Sequence, residues 1–241
     1  MLRMPVMNER DLLHSPAVVW VRVVLRMTLF ALALLWPAGR VFWWEACVMV
    51  GLWTLFAFDA TRYLLHHDPA LLEERLQLLP WAREQKTWDK VIMLLLVIIG
   101  LPLYILPGLD VVRYGWSEPL PLWIRISALL LQALCLAGIG RVMRENTYLA
   151  QVVKIDRERN QHVVTTGPYA LVRHPMYSMI ILLVFAVPAS LGSRCALLLS
   201  VFLAVLLVLR TRLEDRTLHD ELEGYAAYAQ RTRYRLFPGV W

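Results

Sequence analysis

Charge is scarce in this 241-residue chain. Acidic and basic residues together make up 18% of it, where an ordinary soluble domain carries about a quarter. Lysine is rarer still, at Lys86, Lys90 and Lys154 alone, so nearly all positive charge is arginine, a bias associated with bacterial genomes. There are three cysteines, Cys47, Cys135 and Cys195, each inside an apolar run. That number and placement exclude a disulfide framework and a cysteine metal site, and make the cysteines small apolar residues. No internal repeat and no low-complexity tract is present. The opening "MLRMPVMNERDLLHSP" has no cleavage-like stretch before the first apolar run, so no signal peptide is expected.

What the chain has in excess is apolar surface, at 59% of residues, with ten tryptophans clustered near the ends of apolar runs. Tryptophan in that position suits the interfacial belt of a membrane protein. A bilayer-spanning helix takes about 20 mostly apolar residues. The runs Ala17–Pro37, Val41–Tyr63, Trp88–Leu109 and Leu120–Met143 meet that length. Two shorter runs, Met176–Leu191 and Cys195–Leu209, are joined by "GSR", a turn signal. The expected fold is therefore all-α and polytopic, with five to six transmembrane helices and a C-terminal helical hairpin. One membrane domain is expected, made of an N-terminal helix pair (1–63), a cytoplasmic interfacial loop (64–87) and a catalytic half (88–241).

The net charge of +6 is a matter of side rather than of nucleic acid, for which no partner role is expected. With the N-terminus cytoplasmic, most basic residues fall in the loops 64–87 and 144–175 and in the tail from Arg210. Only Arg40, Arg113, Arg125 and Arg194 face the other way. This follows the positive-inside rule and predicts a multi-pass protein of a bacterial inner membrane. Arg22 and Arg26, four apart near a membrane entry, are expected to snorkel to headgroups. The loop "HHDPALLEERLQLLPWAREQKTWDK" reads as a short interfacial amphipathic helix broken at Pro80. His66 and His67 are adjacent, point to different helix faces and make a poor metal pair. No metal site is expected. "GIG" at 138–140 has no preceding strand, which makes it a packing feature rather than a dinucleotide loop.

Two polar clusters bracket the terminal hairpin: "QHVVTTGPYALVRHPMY", residues 161–177, and "RTRLED", residues 210–215. A hairpin returns its second arm to its starting face, which should bring Arg210 and Glu214 beside His174 and Tyr177. Arg210 and Glu214 also share a helical face by their i, i+4 spacing. Alone, each cluster is no more than a helix-end ion pair or an interfacial anchor. Together they set imidazole, phenol, guanidinium and carboxylate at one mouth, and polar groups at membrane depth are costly unless they line a cavity.

The run "GPYALVRHPMY", the hairpin, "RTRLED" and "YAAYAQRTRYRLFPGVW" together resemble the isoprenylcysteine carboxyl methyltransferase family of integral membrane enzymes. The resemblance runs from about Glu145 to Trp241, with "DPALLEER…KTWDK" similar to bacterial members. It implies S-adenosylmethionine as donor and a lipophilic small-molecule or lipidated acceptor at the membrane surface. Carried over by residue, cofactor binding falls to Gln161, His162, Val163, Val164, Tyr169, His174, Pro175, Met176, Tyr177 and Glu214. Lys154 stands where eukaryotic members place a glutamine near the cofactor. Arg210 matches the substrate-side arginine, and Arg210 and His174 are the catalytic candidates. Three positions depart from the pattern: Met179 replaces a small glycine, Asp215 stands for a glutamate, and Gln161 stands for a histidine.

The residue types suit the chemistry. Methyl transfer from a sulfonium is an in-line displacement that asks for positioning and charge. A carboxylate acceptor is already ionised at neutral pH and needs no general base, so Arg210 would orient it with a forked hydrogen bond. A small thiol or a phospholipid amine would need a base, His174 first. A small transporter or scaffold is the non-enzymatic alternative, although carriers place polar residues at the bilayer midplane and this chain places them at one face. The tail "RYRLFPGVW" is expected to lie on the membrane, with Phe237 and Trp241 inserted and its arginines on anionic headgroups.

Overall fold

The computed structural model describes residues 15–76, 85–149, 152–153 and 161–241, and among these it is helical with no strand. Helix α1 (Pro16–Ala38) starts on a Ser15 cap with proline in its first turn and stops at Gly39, which is left-handed at φ 66°, a conformation glycine adopts without a Cβ clash. Helix α2 (Trp44–His67) follows. Asp68 then caps the short α3 (Pro69–Arg75), its carboxylate accepting from the Leu71 N–H at 3.0 Å.

The third span is composite. It joins α4 (Thr87–Gly100), α5 (Pro102–Pro107) and a π-helical segment, Gly108–Tyr114. Proline cannot donate to the preceding turn, so Pro102 and Pro107 divide a run that hydropathy alone reads as one. Gly108 is required where this segment meets α1, since a Cβ there would lie 2.8 Å from the backbone nitrogen of Ala38. Helix α6 (Leu122–Glu145), α7 (Pro175–Ser190), α8 (Arg194–Glu221) and α9 (Tyr225–Arg231) complete the chain. Five segments are long and apolar enough to cross a membrane: α1, α2, Thr87–Tyr114, α6 and α8. The chain is thus an integral, multi-pass membrane protein.

Helices α7 and α8 form the expected hairpin, turning at Gly192 with φ 80°. The turn reaches the loop ahead of α6 and the π-helical segment: the Leu120 N–H donates to Gly192 C=O at 3.0 Å, and Ser193 Oγ donates to Asp110 Oδ2 at 2.6 Å. Yet α7 has only 16 residues, a rise of about 24 Å against an apolar thickness of about 30 Å. The second arm is longer than the apolar run suggests. It continues twelve residues past Leu209, to Glu221.

Apolar packing joins the N-terminal pair to the rest. Leu34, Ala46, Met49, Leu103, Val187 and Leu191 form one buried cluster, and Val23, Leu64, Leu72, Leu136 and Leu183 lie in another. One polar bolt crosses three helices. Gln132, fully buried on α6, accepts from Trp53 Nε1 of α2 at 3.1 Å and donates to Ser190 Oγ of α7 at 2.7 Å. At Gly138 a Cβ would meet the Met179 sulfur at 3.0 Å. The first glycine of "GIG" is thus the packing feature expected of it, and it makes room for the methionine that departs from the family pattern.

Candidate active site

Gly167 opens the knot with φ 57°, and a 3-10 turn, Gly167–Ala170, follows. Tyr169 is buried there. Its hydroxyl accepts from Asn146 Nδ2 at 2.8 Å, and its carbonyl accepts from the Tyr228 hydroxyl at 2.7 Å. Pro175 then opens α7, where its missing N–H costs nothing. The C-terminal tail holds the knot from outside. The Arg173 and His174 amides donate to the carbonyls of Tyr234 and Arg235, each at 2.9 Å, and Ser178 Oγ donates to the Leu236 carbonyl at 2.5 Å.

Behind the knot sits Asp215, on α8. Arg173 grips its carboxylate in a fork, with Nε to Oδ1 at 2.8 Å and Nη2 to Oδ2 at 3.1 Å. His174 Nε2 lies 3.1 Å from Oδ1, the Tyr225 hydroxyl donates at 2.8 Å, and Arg235 Nε donates to Oδ2 at 2.7 Å. A buried charge is tolerable only when so matched. Asp215 therefore welds the motif, the returning arm, α9 and the tail into one unit.

In front of the knot is a cavity of about 460 Å³. Gln161, His162, Val163, Val164, Tyr169, His174, Met176, Tyr177, Arg210 and Glu214 all line it. The spatial convergence expected of the two polar clusters is present. Its closest stitch is the Tyr177 hydroxyl, which donates to Glu214 Oε2 at 2.5 Å. His162 Nδ1 is 3.0 Å from the Tyr148 hydroxyl. Val163 and Val164 pack with Val142, Tyr169, Leu222, Tyr225 and Tyr228. Burial raises the Tyr169 and Tyr225 phenols and pushes Tyr228 up to about 12. At neutral pH these hydroxyls are protonated, and no phenolate base is available from them.

Several expectations need correction. Pro175 is not among the residues lining the cavity; it is buried as the first residue of α7. Lys154 lies outside the described residues, as does Pro80. Arg210 is not held ready for an acceptor alone. Its Nε donates to Asp89 Oδ1 at 2.8 Å, and its Nη2 lies 3.4 Å from Oδ2. Asp89, fully buried on α4, also accepts from Gln85 Nε2 and the Val153 N–H, both at 2.9 Å. Arg26 does not snorkel. It donates to the carbonyls of Arg75 at 2.9 Å and Leu76 at 2.6 Å, capping the end of α3. Nor are the arginines of the tail all turned to headgroups, since Arg235 bonds Asp215 with its guanidinium 4.9 Å over the Trp241 ring. Phe237 and Trp241 pack against Tyr177, Ile181, Leu207 and Leu236.

Sequence reasoning missed Asp89, Arg173, Tyr225 and Arg75. Asp89 and Arg210 are 121 positions apart, and no spacing rule links them. Arg173 has a signal, for it sits within "VRHP" beside His174. Among the described residues no group of three or more histidine, cysteine or acidic side chains could hold a metal ion.

Comparison with known proteins bears on the same stretch. Residues 123–222, from α6 through α8, match the family described as phospholipid methyltransferase, which takes in the isoprenylcysteine carboxyl methyltransferase-like proteins. The chain is also 34% identical over 120 residues to the cobalt-zinc-cadmium resistance protein CzcN of Cupriavidus metallidurans. That match covers 48% of this chain and 49% of CzcN, so the chain spans about half the length of this curated relative.

Proposed function

We propose, from the match of residues 123–222 to the phospholipid methyltransferase family, that this membrane protein is a methyltransferase and transfers a methyl group from S-adenosylmethionine to a lipophilic carboxylate. The observation that carries the reading is the Tyr177–Glu214 bond, which closes the two polar clusters around one cavity. The residues present fit the donor. A cavity of about 460 Å³ falls within the range of about 300–1,000 Å³ typical of small-molecule sites. It offers tyrosine rings for a purine face and, at Glu214, a carboxylate for hydroxyl or ammonium groups.

S-adenosylmethionine, when bound, supplies an electrophilic methyl group on a sulfonium. The chain's own part is to hold and orient. Gln161, His162, Val163, Val164, Tyr169, His174, Met176, Tyr177 and Glu214 line the cavity and would hold the donor. Asp215 fixes His174 by its Nε2, so a proton taken from an acceptor would have to go to Nδ1. A carboxylate acceptor requires no such transfer. Arg210 orients it, positioned by Asp89. On this reading the acceptor comes from the lipid, and the arginine-rich loops support a mouth at the cytoplasmic face of a bacterial inner membrane. Membrane lipids are then immediate neighbours, and nucleic acid has no role.

One observation favours a second acceptor class. Because Asp89 already matches the Nε edge of Arg210, a neutral thiol or a phospholipid amine would meet no unmatched cation there. The decisive assay incubates membrane lipid extract with isotopically labelled S-adenosylmethionine and the purified chain, followed by mass spectrometry. Label in a base-labile ester supports the carboxylate, and label in a thioether or amine replaces it. A folded sample that neither binds nor transfers sinks the enzyme reading in favour of a carrier or scaffold.

A further inference from the structure

On the far side of Asp215 from the first cavity lies a groove of about 730 Å³ between α8, α9 and the tail. Arg173 stands in the walls of both, so its fork with Asp215 divides them. The groove carries more cations than anions: Arg173, Arg212, Arg216 and Arg235 face Asp215 and Asp220. Asp215 alone answers two of the arginines, Arg173 and Arg235. Asp220 lies 3.8 Å from Arg216 Nε in an exposed pair, a contact of little strength in water. Arg212 is exposed and makes no hydrogen bond or ion pair among the described residues. The positive charge left over calls for a ligand of opposite sign. Facing it, the small side chains of Ala226 and Ala229 on α9 leave the space open.

The pattern of α8 says where that ligand comes from. Leu198, Phe202, Val205 and Leu209 recur at helical spacing, which puts them on one face, and Arg212 and Arg216 continue the same face. All four apolar side chains are exposed, and on a helix that crosses a bilayer such a face meets lipid. The rise from Leu198 to Leu209 is about 16 Å, close to the depth of one leaflet of a hydrocarbon core about 30 Å thick. Arg212 and Arg216 follow where acyl chains end and phosphates begin, the level at which arginine gains most from an anionic headgroup. A soluble anion has no use for the apolar stripe. A zwitterionic lipid brings its own cation to arginines that already lack a partner.

We propose that this groove is a binding site for an anionic phospholipid. Its phosphate sits among Arg212, Arg216 and Arg235, and its acyl chains run along the face from Leu209 to Leu198. Arg235 shares Asp215 with Arg173, and the phosphate gives it a second counter-charge. The lipid thereby braces, from behind, the clamp that fixes His174. The site is separate from the cavity that would hold the donor, and the inference stands whatever acceptor that cavity takes.

The test is native mass spectrometry of the full chain in detergent, titrated with dioleoyl phosphatidylglycerol, dioleoyl phosphatidylcholine or glycerol phosphate. Phosphatidylglycerol is expected to bind about tenfold more tightly than phosphatidylcholine, and glycerol phosphate should not displace it. Arg212→Gln/Arg216→Gln, which alters exposed side chains alone, should weaken phosphatidylglycerol binding about 30-fold, the loss for two interfacial cations. Arg62→Gln/Arg141→Gln removes the same charge from exposed positions near the C-terminal ends of α2 and α6 and should change binding by less than about threefold. An equal loss in the two variants would mean general surface charge instead of a site, and overturns the proposal. Equal affinity for the two lipids overturns it as well. Displacement by glycerol phosphate replaces the lipid with a soluble phosphate ligand. Should the Arg212→Gln/Arg216→Gln variant fail to fold, the wild-type preference between the two lipids decides alone.

Discussion

Around Asp215 four side chains from three parts of the chain converge on one buried carboxylate, whereas between α1 and α2 the buried contacts are valines, leucines and methionine. The C-terminal half is organised by matched charge and the N-terminal half by shape. The difference follows from what each must hold. A polar hollow sunk into an apolar layer needs every polar group partnered, and matched groups have one arrangement. Apolar helix contacts need only complementary shape.

That contrast predicts a graded response to substitution. Asp215→Ala leaves the buried Arg173 and the half-buried Arg235 without their counter-charge and should cost about 3–5 kcal/mol, read as a large fall in thermal unfolding temperature in detergent together with loss of donor binding. An unfolding temperature within error of wild type would show that the four contacts do not bind the halves of the site together. Leu64→Ala, in the apolar half, should cost about 2–4 kcal/mol while the fraction that stays folded binds the donor normally. If donor affinity fell with it, the separation drawn between the halves would fail. Gly167→Ala forces a side chain into left-handed backbone at φ 57° and should cost about 1–2 kcal/mol, with weaker donor binding as the knot shifts. At the bottom of the scale, Arg144→Ala breaks a half-exposed pair with Asp59. Its cost should stay below about 1 kcal/mol and vanish at high salt.

The halves also differed in how far the sequence revealed them. Hydropathy located α1, α2, α6 and the hairpin, because length and apolar content are what a bilayer selects. It misjudged α8, ending it at Leu209 when the helix runs on to Glu221. Hydropathy cannot separate a helix face turned to a polar cavity from a tail in water, and Arg210 and Glu214 lie on that face. The convergence of residues 161–177 with 210–214 was legible because a hairpin has only one way to return. The Asp89–Arg210 pair was not, since nothing in the chain says which helix neighbours α8. Asp215 was visible only as a departure from the family pattern, and its place at the centre of four partners is a property of the fold. Arg26 misled because an arginine near a membrane entry has two satisfactory partners, a headgroup or an open helix end, and tertiary packing chose the second.

Calorimetric titration of S-adenosylmethionine into the purified wild-type chain and into Glu214→Gln tests the central claim most directly. If the hairpin closes a donor site, the wild type binds, and removing the charge that faces Tyr177 weakens binding about 10- to 100-fold with the unfolding temperature little changed. A folded wild type that gives no binding heat, or a Glu214→Gln variant that binds as tightly as the wild type, would contradict it.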